Sequence, residues 1–515
     1  MSLTKRFFTV SSLTIISRIF GVVREAMMIH FLGASAEMDA FTTAFKFPSF
    51  FRRFFAEGGF QSIFVPYFTD FTAANKLKGA RYFSSRIFTL AFWIMLAITA
   101  IVLVFAEQFT ILMAPGFVNT PEKLALTADF TRIIFPSVAF ISLATVYSGI
   151  LISYRKFFLF ALVPILVNCI LIGSILICRD TLATGYRLAY GILISGIFQF
   201  MYLYACVKTY KFPSPRISSV KCSAKIKSFS KKLLPVLAGA GVAQVNVLVG
   251  LFLASLLPTG SITYLHCADR FVQLPLALFG ASMGIVLLPE IAANMAKNKL
   301  VDLKNIQNKS LLFVLRLALP SVIGLIMLSD CLISLLYGHG KFDENAVRIT
   351  SLVLKVTAIG LPAYVIGKIM SFIFFAQKNS KVPVTAAIAS VISNIFLGLV
   401  LIWPMKVLGI AAANALSGFV NIYVMKSRAA GWFVLEKNVL SDCVKIIVSS
   451  LAALFVILLL QHIMYVNDTY LCGELFFLII SFATATTTYV LALYFFKDAS
   501  VRWSFNMLKN KIFKN

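Results

Sequence analysis

Eleven polar or charged side chains fall in three short windows that are otherwise apolar. Ser17, Arg18, Arg24 and Glu25 lie in "SSLTIISRIFGVVREAMMIHFLG", and Asp39, Lys46, Arg52, Arg53 and Glu57 lie in "MDAFTTAFKFPSFFRRFFAEGGFQSIFVPYF". Asp269 and Arg270 lie in "HCADRFVQLP". A lone charge in hydrocarbon costs on the order of 3 kcal/mol even on the most lenient scale, so such groups face a bundle interior or a wet cavity. On a helix, Asp39, Lys46 and Arg53 form one stripe with Glu57 a turn beyond; Ser17 shares a face with Arg24, and Arg18 with Glu25. Arg18 and Arg24 sit about 120° apart. Internal pairing accounts for part of the charge, for example Arg53 with Glu57, or Arg24 with Glu25 or Asp39. Five arginines and Lys46 nevertheless outnumber four acids. A guanidinium presents a planar fork of donors that suits phosphate oxygens and keeps its charge at any relevant pH. The pattern therefore predicts a cavity that takes a phosphate-bearing amphiphile.

Positioning these groups requires membrane helices. The chain is 60% hydrophobic and 13% charged, too little charge to clothe a soluble protein of 515 residues. Apolar runs such as Phe88–Val104, Leu159–Cys178, Ile446–Leu460 and Phe476–Phe496 are long enough to cross roughly 30 Å of hydrocarbon, and backbone groups in lipid must pair internally. The runs do not alternate, which excludes a barrel. The formal charge of +27 does not point to nucleic acid. About thirty Lys and Arg fall in alternate loops, against about six in the opposite set, as orientation in a bilayer requires. That distribution predicts cytoplasmic termini and an even number of crossings in the inner membrane. The N-terminal apolar stretch reads as the first membrane helix, not a cleavable signal. The eight cysteines show no CxxC or zinc spacing, so no disulfide or metal site is expected.

The expected fold is all-α and polytopic, with about fourteen transmembrane helices. Two six-helix lobes at 1–208 and 230–430 are joined by a basic cytoplasmic linker at 209–229, with two further helices and a basic tail in 431–515. The linker, with Pro213 and Pro215, is expected to lie on anionic headgroups. The lobes read as parallel repeats: Pro66 matches Pro289, and Pro136 and Asn168 match Pro362 and Asn394 at a near-constant shift. Pro48, Gly58, Gly59 and Pro66 sit at depths like those of Pro275, Gly280, Gly284 and Pro289. Interrupted helices at matching places in two halves mark a transport site, and close packing by glycine is compatible with that reading.

"SRIFGVVRE" from Ser17, "MDAF" from Met38, "FFRRFFAEGGFQSIFVPYF" from Phe50 and "ADRF" from Ala268 resemble the MurJ (MviN) family. These are lipid II flippases of the multidrug/oligosaccharidyl-lipid/polysaccharide exporter superfamily. The resemblance runs over nearly the whole chain. It implies two lobes around a central cavity, a hydrophobic groove from the two extra helices, and movement of undecaprenyl-linked disaccharide-pentapeptide for peptidoglycan synthesis. The family's cavity arginines fall on Arg18, Arg24, Arg52, Arg53 and Arg270, with Asp39 and Glu57 as acidic partners. Ser17, Glu25 and Asp269, from the same charged windows, are expected to join these two as gating or charge partners. Lipid II and membrane lipids are the partners implied, with cell-wall synthesis proteins as candidate protein partners.

One departure stands out. Some relatives carry ion-binding carboxylates on the seventh and eleventh helices. Here those helices offer Gln244, Asn246, Ser390 and Asn394, so a sodium ligand set is not expected. No bond is made or broken in such transport, so no catalytic residue or cofactor is expected either. The rivals are a flippase for another lipid-linked oligosaccharide, a multidrug exporter, a membrane enzyme acting on lipid-linked sugars, and a non-transporting scaffold. A drug exporter predicts an acidic cavity and an enzyme clustered acids or histidines; His30, His266, His339 and His462 are dispersed.

Overall fold

The computed structural model describes residues 3–55, 59–177, 183–218, 224–277, 300–377, 379–429, 437–466 and 474–496. All regular structure among them is helical. Among the described residues nine helices are long and apolar enough to cross a membrane, ten if one bent pair counts as a single span. The protein is thus an all-helical polytopic membrane protein. The nine do not include the helices that carry the clustered charge of the first two windows.

The first unit comprises Met1–Thr263 with Gly340–Phe342, and the second Tyr264–His339 with Asp343–Asn515. In the first, α1 (Leu3–Leu32) and α2 (Ala36–Phe55) precede α3 (Gly59–Ala73) and α4 (Leu77–Val104). Then follow α5 (Ala106–Met113), a short 3₁₀ turn (Pro115–Asn119), α6 (Pro121–Ile134) and α7 (Pro136–Ser153). The unit continues through α8 (Phe157–Ala161), α9 (Val163–Leu176), α10 (Thr184–Thr209) and α11 (Ala224–Ser255). A helix α12 over 261–277 leads into the second unit: α13 (Leu300–Met327), α14 (Ser329–Tyr337), α15 (Glu344–Ala358), α16 (Leu361–Ala376), α17 (Lys381–Met405), α18 (Val407–Ser427), α19 (Lys437–Val466) and α20 (Glu474–Phe495).

Proline sets several of the breaks. Pro121, Pro136 and Pro362 stand in the first turn of their helices, where a missing N–H costs nothing. The expected span 125–152 is therefore two helices meeting at Phe135, and 345–376 is α15 and α16 bent by 40°. Each unit thus has a helix pair broken at a proline, followed by a helix carrying a buried asparagine, Asn168 in α9 and Asn394 in α17. The repeat partners Gly280, Gly284 and Pro289, and Gly58 beside them, lie outside the described residues.

Aromatic residues fill the first unit's core. Phe60, Phe64, Phe68 and Phe83 are fully or nearly fully buried, with Phe64 stacked on Phe83 at 5.7 Å between centroids. Phe229 from α11 enters edge-on against Phe60, Tyr67 and Phe83. Offset and edge-on geometry places ring edges against ring faces, which adds to the gain from burial. α11 is thereby packed against α2, α3 and α4.

The segment expected to be a linker on headgroups is more structured than the sequence suggests. α11 begins at Ala224, inside it. Residues 212–218 form an extended strap: Phe212 stacks on Tyr154 at 3.9 Å, Arg216 N donates to Ser85 Oγ at 2.9 Å, and Ser218 N donates to Thr89 Oγ1 at 3.0 Å. Pro213 and Pro215 are buried. Proline needs no donor partner, so an extended chain can lie there without orphaning an N–H.

Candidate functional site

Arg24 is held from two sides. Its Nη1 donates to Asn168 Oδ1 at 3.0 Å and its Nη2 to Glu25 at 3.3 Å. The Asn168 amide also donates, from Nδ2, to the backbone carbonyl of Ser17 at 3.1 Å. Ser17 and Arg24 are seven residues apart and so present one face of α1 to α9. A single amide thus bridges two turns of α1 and fixes the guanidinium between them. Glu25 is 4% exposed and the Arg24 side chain 15%. The pairing of Arg24 with Glu25 was one of those open in the sequence; the clamp by Asn168 was not. Arg18, on another face, is exposed.

Asp39 is placed differently from expectation. It is 1% exposed and pairs with Lys123 Nζ at 2.8 Å, not with an arginine of α1 or α2. It also accepts from Gly260 N at 2.8 Å, Thr263 N at 3.0 Å and Thr263 Oγ1 at 2.7 Å. The two backbone donors are orphan N–H groups at the start of α12, where a carboxylate is favoured by both hydrogen bonding and the helix dipole. Lys123 is itself 7% exposed and sits over the Phe117 ring at 4.4 Å. The cause is geometric: the first turn of α2 packs on α6, which brings Lys123 to the carboxylate. Lys123 had one sequence signal, a lysine in an otherwise base-poor loop.

A neighbouring contact ties another segment to α1. Lys341 N donates to the carbonyl of His30 at 3.0 Å. Gly33 and Gly340 there adopt φ of 61° and 73°, which favour glycine, and a Cβ on Gly340 would lie 2.4 Å from the His30 carbonyl oxygen.

Arg52 and Arg53 lie in the last turn of α2, downstream of Pro48; their side chains, and Glu57 entirely, lie outside the described residues. In the second unit, Asp269 is exposed and accepts from Gln273 one turn along α12, while the adjacent Arg270 is partly exposed. Of the expected site residues the structure therefore joins Ser17, Arg24 and Glu25, and gives Asp39 to a separate cluster. Among the described residues no group of three His, Cys, Asp or Glu is placed to hold a metal ion. Ser390 donates to the Ser417 carbonyl at 2.9 Å.

The family model for lipid II flippase MurJ matches residues 28–481. The chain belongs to the MurJ family. Among its relatives is the probable lipid II flippase MurJ of Rhizobium tropici, 35% identical over 90% of this chain and 88% of that protein. A MurJ structure described as a lipid II flippase in an inward closed conformation superposes with a TM-score of 0.81 at 29% identity, covering 95% of this chain and 99% of that one. A multidrug resistance MATE transporter of the MOP superfamily, in its inward-facing conformation, shares the fold at a TM-score of 0.65 and 14% identity, covering 81% and 95%. MurJ membership agrees with the resemblance carried by the charged windows of the sequence.

Proposed function

We propose that this protein moves lipid II, an undecaprenyl-pyrophosphate-linked disaccharide-pentapeptide, across the inner membrane by alternating access. It does so for peptidoglycan synthesis, with both termini cytoplasmic. The observation that carries this reading is Arg24: a guanidinium in a largely apolar helix, fixed by the Asn168 amide and by Glu25, with 15% of its side chain still accessible. A preorganised fork of this kind gives strong, charge-assisted contacts to a diphosphate and needs little reordering on binding.

Arg24, Arg52, Arg53 and Arg270 receive the diphosphate in this mechanism, and the polyprenyl tail stays in lipid along α19 and α20. Glu25 offsets part of the charge of Arg24 while the site is empty. The lobes rock outward once the diphosphate neutralises the cations. Arg18, Ser17, Asp39, Glu57 and Asp269 support closing and resetting. Asp39 is suited to that role because it ties α2 and α6 to the first turn of α12, an attachment that moving elements can release as a unit. No bond changes in the cycle, so the protein acts as a carrier and not as a catalyst of chemistry.

The test replaces Arg24 with Ala and follows lipid II exposure on the outer leaflet, in cells and in vesicles, with and without a membrane potential. Exposure is expected to collapse at equal protein levels. Unchanged exposure would remove Arg24 from the binding site and the carrier reading with it.

A further inference from the structure

Among the described charged residues of the first unit, Arg86 has the most buried nitrogens without a hydrogen-bond partner. It is 8% exposed, and its Nε and Nη1 are sequestered with no hydrogen-bond partner. Its one contact of note is the Tyr82 ring, 4.2 Å from the guanidinium carbon. Among the described residues no carboxylate pairs with it. The Ser218 hydroxyl is likewise buried without a partner. Both lie where the strap crosses α4, because the residues that hold the strap, Ser85 and Thr89, flank Arg86 in sequence. Two unsatisfied donors at one crossing, one of them cationic, describe a place for an oxyanion. Water can accept from a guanidinium but leaves its charge uncompensated, which is costly for a buried ion.

Depth narrows the ligand. Arg86 immediately precedes the uncharged stretch 87–104, about 27 Å long as a helix and so close to the thickness of the hydrocarbon core. That puts the guanidinium at the level of lipid phosphates. Exposed Lys78 and Tyr82 lie on the same face, eight and four residues before it, with exposed Arg81 beside them. From the strap, Arg216 and Ile217 are exposed at the same crossing, Ile217 by 62%. A cation beside an exposed aliphatic side chain suits a headgroup with its acyl chains attached.

We propose that Arg86 and the Ser218 hydroxyl form a phosphate-binding site for the headgroup of an anionic phospholipid, which fastens the strap to α4. The site is separate from the Arg24 cluster, and its test does not read transport. The full-length protein, stripped of lipid in neutral detergent, is titrated with a fluorescent phosphatidylglycerol or with the matching phosphatidylcholine. Thermal unfolding is followed in parallel with inorganic phosphate. Phosphatidylglycerol is expected to bind the wild type about tenfold or more tightly than it binds R86Q, the scale of one charge-assisted fork. S218A is expected to lose less, and K78A, at the exposed end of the same face, to stay within about twofold of wild type. R86K keeps the charge without the fork and should be intermediate, which also serves if R86Q does not fold. Stabilisation by phosphatidylglycerol alone assigns the lipid headgroup. Stabilisation by inorganic phosphate that is lost in R86Q supports the same oxyanion site with a soluble ligand. Equal binding by wild type, R86Q and S218A, or equal binding of phosphatidylglycerol and phosphatidylcholine, overturns the proposal.

Discussion

Replacing Asp39 by Asn tests a buried charge with many hydrogen-bond partners. The carboxylate accepts four hydrogen bonds, one from buried Lys123, two from backbone N–H groups at the start of α12 and one from Thr263 Oγ1. Asparagine keeps the shape but supplies one oxygen, and its NH₂ group must face a donor. Breaking a buried ion pair on one side costs about 3–5 kcal/mol, because the other charge stays buried without compensation. Asp39→Asn is thus expected to lower stability by about 4 kcal/mol. Lys123→Met leaves a carboxylate that still has three donors, so about 3 kcal/mol is expected there, part of it from the lost cation–π contact with Phe117. The double variant leaves no stranded charge and should cost about 4–5 kcal/mol. The coupling energy is then about 2–3 kcal/mol, well above the few tenths seen for independent sites.

The assay is denaturant unfolding of the purified chain in micelles, followed by intrinsic fluorescence, for wild type, both singles and the double. A typical protein has only about 5–15 kcal/mol in hand, so each single is expected to shift the midpoint visibly. Singles within about 0.5 kcal/mol of wild type, or a strictly additive double, would show that the carboxylate and the ammonium do not share a dry site. The attachment of α2 and α6 to the start of α12 would then lose its physical basis.

Asn168→Asp keeps acceptors for Arg24 but adds a second carboxylate beside it and removes the donor to the Ser17 carbonyl. Affinity for a soluble pyrophosphate-linked headgroup analogue is expected to fall about tenfold or more, measured by calorimetry, and stability by about 1–3 kcal/mol. Arg187 on α10 is 7% exposed and donates to the carbonyls of Ile175 and Ile177 and to Thr184 Oγ1, closing the C-terminal end of α9. Arg187→Met should therefore cost about 2–4 kcal/mol in unfolding experiments, and Arg187→Lys less. Gly340→Ala combines an unfavourable φ with a clash against the His30 carbonyl. It should destabilise by at least about 1–2 kcal/mol and raise protease sensitivity at the 338–342 turn.

Periodic and compositional features survived from sequence to structure because helices encode them locally. The stripe that joins Ser17 to Arg24, the adjacent Arg24–Glu25 pair and the prolines that open α7 and α16 all follow from residues close in the chain. What the sequence concealed is non-local. Asn168 was conspicuous for its spacing to Asn394, yet nothing local says that its amide reaches both Ser17 and Arg24, some 150 residues earlier. Asp39 and Lys123 are a similar case, as are the Ser85 and Thr89 hydroxyls that hold the strap. The breaks at Phe105 and Leu328 are hidden for another reason: neither position carries the proline or glycine that usually marks an interruption.

Asp39, Arg24 and Arg86, three charged groups of the first unit, differ above all in what surrounds them. Asp39 and Arg86 are under 9% exposed and the Arg24 side chain is 15% exposed, and their surroundings suit them to different work. Asp39 has four donors and a cation of its own, so any added ligand could only displace bonds already made, and the group is suited to holding elements together. Arg24 is fixed by an uncharged amide and by Glu25, which orients its fork and tempers its charge without enclosing it. A mobile anion can compete there for a cation already in position, and that competition is what a carrier needs if it is to bind its cargo and then let it go. Arg86 has neither a carboxylate nor an amide, and a cation so placed is stabilised most by an anion that stays. On the proposed reading, reversible transport belongs with the partly compensated guanidinium, and the proposed resident headgroup with the uncompensated one.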